Sequence, residues 1–120
     1  MTLRVVTFNV FTDVRPESPF GWERRKGAAL DVLRRIGPHL LGVQEARAKH
    51  HLRDLTEGLG LERVGLDRAD GSLEGEDEHC DILFDPRELR LLRWGTFWLS
   101  ETPDRPSRSW DSECVRIAAW

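Results

Sequence analysis

Apolar positions along the chain change period several times. Residues 3–11, LRVVTFNVF, are dense in β-branched and aromatic side chains and predict a central strand. The following TDVRPESPFG carries two prolines and a glycine, so it reads as a loop. From Trp22 to Ile36 the period becomes helical. Ala29, Leu30, Leu33 and Ile36 share one stripe, Arg24, Arg25, Arg34 and Arg35 lie elsewhere on the cylinder, and Gly37-Pro38 ends the helix. LLGVQ, residues 40–44, predicts a second buried strand. Residues 47–58 predict a second helix with Leu52, Leu55 and Leu59 on one side, and LERVGL (61–66) a third strand. DRADGSLEGEDEH (67–79) is acidic, glycine-containing and loop-like. CDILF and ELRLLRWGTFWL flank Asp85-Pro86, and a proline second in a turn predicts a hairpin there. After the polar SETPDRPSRSWDSE, the segment CVRIAAW predicts a last strand.

Strand, helix, strand, helix and then strands alone define an α/β fold with a mixed sheet, two helices on one face and a hairpin-rich C-terminal part. The first crossover, about 30 residues with a helix inside it, makes the first two strands parallel and the connection right-handed. Apolar residues on both alternating sets of VVTFNVF and GTFWL imply that the second face of the sheet is buried as well. A chain of 120 residues has room for one core and few elements to cover that face.

Composition narrows the class. Hydrophobic residues make up 39% and charged residues 32%, the balance of a globular domain rather than a disordered one. The net charge of −3 argues against a broad basic face for long nucleic acid. The basic residues are nevertheless nearly all Arg, which suits planar contacts to phosphate or carboxylate. Cys80 and Cys114 have no metal-ligand spacing and read as small apolar fillers. With no run long enough to span a membrane and no signal-peptide layout, no membrane contact and a cytoplasmic location are expected.

The chemistry gathers where the parallel strands end. Asn9 closes the first strand and Glu45 follows the second, so their carboxyl ends share one edge of the sheet, where open α/β sheets bind ligands. A carboxylate at the tip of a buried strand is costly without a positive partner. An amide oxygen and a carboxylate make a hard-oxygen pair suited to Mg²⁺ or Mn²⁺. The bland alternative is that Asn9 caps a turn while Glu45 pairs with Arg47 or caps the next helix. His50 and His51, beside Lys49, have no ligand-like partner at i+4 and are expected on the surface.

The segments TFNV, WERRK, PHLLGVQEA, DRADGSLEGE and GTFWLSETPDRPSRSWD resemble the endonuclease/exonuclease/phosphatase superfamily, in particular a bacterial metal-dependent hydrolase branch related to nocturnin-like deadenylases. The resemblance implies a four-layer α/β sandwich of two sheets flanked by helices. It implies a divalent metal, Mg²⁺ or Mn²⁺, held by Asn9 and Glu45 as the catalytic pair, with Gln44 orienting the carboxylate. It places Arg68 and Glu76 beside the cleft as candidate substrate contacts. Trp22 and Arg24 match the family's W-x-R, with Trp22 in the core. Phe97 and Trp98 are expected to be core, and Thr96, Ser100 and Glu101 to shape the fold. His39 stands where relatives carry Asp. The strings Thr-His-x-Asp-His, Gly-Asp-Phe-Asn and Ser-Asp-His of the family's second half do not occur.

Residues 1–120 therefore read as the N-terminal portion of one such domain, inactive alone. The expected activity is phosphoester hydrolysis, on a small phosphorylated molecule in preference to nucleic acid. Self-association, or a C-terminal half, would cover the exposed sheet face. The competing expectation is a non-catalytic half-domain or binding module that pairs with another chain.

Overall fold

The computed structural model describes residues 2–120. Strand β1 (Val5–Asn9) leads through a loop to helix α1 (Trp22–Ile36) and strand β2 (Leu40–Gln44). A π-helical turn at Ala48–Leu52 runs into helix α2 (Arg53–Leu59), followed by the short strands β3 (Glu62–Val64) and β4 (Ile82–Phe84). These four strands form one mixed sheet in the order β1-β2-β4-β3. β1 and β2 are parallel, with Val5 opposite Leu40 and Asn9 opposite Gln44, and β4 is antiparallel to both β2 and β3. Strands β5 (Thr96–Trp98) and β6 (Ile117–Ala119) make a separate antiparallel pair.

Alternation along the strands sorts the sheet into two faces. Val6, Phe8, Leu41, Val43 and Leu83 point to the side where Trp22, Leu33, Leu52 and Leu55 complete the core. Helix α1 ends at Gly37, whose left-handed φ of 63° lets its N–H reach the Leu33 carbonyl at 2.8 Å. Gly58 brings α2 against Leu30, where a Cβ would meet the leucine methyls at 2.8 Å.

Three expectations need correcting. The turn at Asp85-Pro86 forms, with the Glu88 N–H on the Asp85 carbonyl at 3.2 Å, but no hairpin follows. Both edges of β4 are already paired, to β2 and β3, so Thr96–Trp98 pairs with the last strand instead. Phe97 is 40% exposed because it alternates with the inward Trp98, itself 4% exposed. The second face of the sheet is not buried along β1: Val5 is 65% exposed. The molecule measures 40 × 40 × 21 Å, and 21 Å is the thickness of one helix layer on one sheet. Among the described residues no helix is long and apolar enough to cross a membrane.

Candidate metal site

Parallel pairing carries Asn9 and Glu45 to the same edge. The Asn9 Nδ2 donates to Glu45 Oε1 at 2.9 Å. The Glu45 Oε2 accepts the Thr12 backbone N–H at 3.3 Å. Asn9 Oδ1 accepts the Phe11 N–H at 2.9 Å, so Asn9 does cap a turn while facing Glu45. The two roles are compatible, because an amide oxygen keeps a second lone pair.

Backbone strain accompanies the contact. Glu45 and Phe11 both have φ of 57°, a left-handed conformation that side chains with a Cβ rarely adopt. The turn at Glu45 brings its carboxylate back toward the loop after β1. Among the described residues no cation forms an ion pair with it. Arg47 instead donates from Nε to Thr12 Oγ1 at 3.0 Å and from Nη1 to the Glu76 carbonyl at 2.5 Å. Thr12 thus joins the Glu45 carboxylate, through its N–H, to the Arg47 guanidinium, through its hydroxyl. A carboxylate that accepts two neutral donors and pairs with no cation still has lone pairs of the kind a hard divalent ion takes, and the Asn9 amide oxygen, now bonded by the Phe11 N–H, keeps one as well. No cluster of three or more His, Cys, Asp or Glu side chains suited to a metal occurs among the described residues.

The other expected residues are placed less directly. Gln44 lies opposite Asn9, but its Nε2 donates to Thr7 Oγ1 at 3.1 Å and not to Glu45. Gln44 shares the exposed face with Thr7 and Asn9, whereas Glu45 has turned away from the strand. Arg68 pairs with Asp77 at 3.2 Å and Glu78 at 2.8 Å, and its carbonyl takes the Trp98 indole N–H at 2.7 Å. It is occupied inside its own loop. Glu76 is exposed and meets Lys49 at 3.3 Å. Arg24 enters no ion pair among the described residues.

Several contributors escape the sequence reading. Arg25, next to Arg24, donates to the carbonyls of Val10 at 2.8 Å, Phe11 at 2.9 Å and Phe20 at 2.5 Å. It fastens the loop after β1 to α1 and so positions Asn9 and Thr12. Asp67, 1% exposed, accepts the N–H groups of Ala69, Asp70 and Asp77 and organises the 67–79 loop. That loop is tied beside Glu45 by paired backbone bonds between Ala46 and His79. His79 is buried with its Nδ1 3.1 Å from Asp81 Oδ1, and Arg63 meets Asp81 Oδ2 at 2.7 Å.

His51 corrects the surface expectation. It is fully buried, its ring 4.6 Å from that of Trp22, and its Nδ1 accepts the Arg47 N–H at 3.0 Å. Burial pushes it down to about 4 from the ordinary 6.5. A signal was present: Ala48, His51, Leu52 and Leu55 share the i, i+3, i+4, i+7 stripe of a buried helix face.

No protein-family model and no curated protein sequence matches the chain. Solved structures do. An endonuclease/exonuclease/phosphatase family protein from Bacteroides thetaiotaomicron is 32% identical with a TM-score of 0.89, over 98% of this chain and 42% of that one. This chain matches the N-terminal half of an endonuclease/exonuclease/phosphatase domain. A Bacteroides vulgatus protein of the same family gives 32% identity and a TM-score of 0.89, over 98% of this chain and 45% of that one. A mannosyl-6-phosphatase from Bacteroides thetaiotaomicron gives the same identity and TM-score over 99% and 45%. The chain thus spans under half the length of the endonuclease/exonuclease/phosphatase structures it matches.

Proposed function

We propose that this chain is the metal-binding portion of a divalent-metal-dependent phosphoesterase, with Glu45 and Asn9 holding Mg²⁺ or Mn²⁺. The observation that supports this most is the 2.9 Å approach of the two side chains at the carboxyl ends of β1 and β2. A divalent ion bound there would polarise the oxygens of a phosphate group. Glu45 would supply a carboxylate oxygen and Asn9 its amide oxygen. Thr12 N–H would fix the carboxylate, and Arg25 would hold the loop that carries Thr12. The base that activates water would come from a second half, equivalent to the rest of the matched structures. A small phosphomonoester is favoured over long nucleic acid. The net charge of −3 supports that choice, as does one matched protein being a mannosyl-6-phosphatase.

Paramagnetic Mn²⁺ tests the site without a working active centre. The expected result is selective broadening of the Asn9, Thr12 and Glu45 amide signals in a two-dimensional NMR spectrum, abolished in Glu45→Ala. Broadening centred on the acidic 67–79 loop, and unchanged in that variant, would overturn the assignment.

The uncovered sheet face supports a companion proposal. Val5, Leu40 and Ile82 lie on it, and residues 89–93 and Trp120 wall a groove beside them. We infer that a second half covers this face, with self-association when that half is absent, because Val5 stands exposed beside the half-buried Leu40 and Ile82. Analytical ultracentrifugation of the isolated chain at low micromolar concentration is expected to show association. A cooperative monomer would contradict it and favour the reading as an independent binding module.

A further inference from the structure

The opposite end of the parallel pair holds a second polar constellation. Arg4 precedes β1 and His39 precedes β2, at the strand ends away from Asn9 and Glu45. His39 is only 8% exposed. Its Nδ1 accepts the Arg4 backbone N–H at 2.9 Å, which leaves the ring proton on Nε2. That Nε2–H faces Arg4 Nη2 at 3.5 Å. A guanidinium nitrogen cannot accept a hydrogen bond, and a protonated ring nitrogen cannot either. Two donors therefore converge with no acceptor between them. Flexibility does not dissolve the conflict, because Arg4 Nε is pinned to the Gly37 carbonyl at 2.7 Å. The pair opens into a cavity of about 540 Å³ also lined by Arg34, Asp85, Arg87 and Glu88. Asp85 also lines the cavity, but its carboxylate is turned to Arg87, with Nε and Nη2 each at 2.8 Å, and among the described residues neither His39 nor Arg4 bonds to it.

We propose that this cavity is an oxyanion site, in which a carboxylate or phosphate oxygen accepts from His39 Nε2–H and Arg4 Nη2 together. Three guanidinium groups and two carboxylates line it, and Asp31 outside the lining pairs with Arg34. Arg34 bonds the Gly58 carbonyl and pairs with Asp31, each at 3.4 Å, so its charge is shared with a carboxylate outside the cavity. The site is separate from the proposed metal pair, with the length of both strands between them.

The test uses the whole chain. Sodium phosphate, sodium acetate and sodium chloride are titrated separately at matched ionic strength, and the His39 side-chain nitrogens are followed by long-range ¹H–¹⁵N NMR. Saturable displacement of the Nε2 signal by phosphate or acetate is expected, and the tighter of the two identifies the source of the oxyanion. Arg4→Gln should weaken it about tenfold, the worth of one charge-assisted hydrogen bond. Glu88→Gln, an exposed change that leaves the core alone, should tighten it about twofold by removing a nearby like charge. Glu45→Ala should leave the titration unchanged. Equal, non-saturating shifts with all three salts would overturn the proposal, and so would saturation by chloride alone. Loss of the response in Glu45→Ala would place the anion at the other end of the sheet and overturn it as well.

Discussion

The two faces of the four-stranded sheet differ in composition, yet each holds apolar residues, and they do different work. On the helix side, Val6, Phe8, Leu41, Val43 and Leu83 interlock with Trp22, Leu33, Leu52 and Leu55. On the other side, Val5, Thr7 and Asn9 of β1 stand open to solvent, with Leu40, Gly42 and Gln44 half-buried beside them. The residues proposed to hold a metal belong to the rim of the open face. One face therefore holds the fold together, and the other is the face proposed above to carry the metal and to be covered by a second half. Apolar character in a strand does not distinguish these fates, since Val5 and Val6 are identical side chains one residue apart.

The comparison breaks most sharply at paired truncations. Leu41 is fully buried, and Leu41→Ala should cost about 3.5 kcal/mol of unfolding free energy, the transfer loss plus an unfilled cavity. Val5→Ala, at 65% exposure, should change stability by less than about 0.5 kcal/mol and instead reduce self-association. Urea unfolding read with sedimentation separates the two effects. Similar costs at both positions would mean that the open face is closed within a single chain.

A smaller effect sharpens the same contrast from inside the covered face. His51 is buried neutral, with its folded pKa at about 4 against 6.5 when exposed. As pH falls, the unfolded chain takes up the proton first. Stability from this group is complete above about pH 6.5, declines between 6.5 and 4, and changes no further below that, a loss on the order of 3 kcal/mol. His51→Asn retains an acceptor for the Arg47 N–H and should flatten the pH slope in that window. His50→Asn, outside the core, should not.

Local pattern carried the fold where one element's own period decides it. The helix from Trp22 to Ile36 and the strand from Leu40 to Gln44 are read directly, because stripe, breaker and β-branched run coincide. The convergence of Asn9 and Glu45 was also legible, since it needs only that β1 and β2 be parallel. What stayed hidden depends on partners. Whether Thr96–Trp98 returns to β4 is settled by β3 having taken that edge. Arg25 looks like any surface arginine until three carbonyls of the preceding loop are seen to converge on it. The donor conflict at His39 arises only when the start of β2 meets Arg4.

The least costly change gives the finest test of the division between faces. Glu45 adopts a φ of 57° that costs a residue with a Cβ about 1 kcal/mol relative to glycine. Were the residue there only to turn the chain, glycine would serve better. Glu45→Gly frees Asn9 Nδ2, which is exposed, and the Thr12 N–H, which is partly buried and was held only by a long 3.3 Å bond. The expected outcome is a protein equally stable or up to about 1 kcal/mol more stable, with its Mn²⁺ broadening gone. Retained strain with no loss of metal response would remove the reason for a carboxylate at that turn. A gain in stability together with loss of the metal shows a backbone held in an unfavourable conformation for the sake of a ligand.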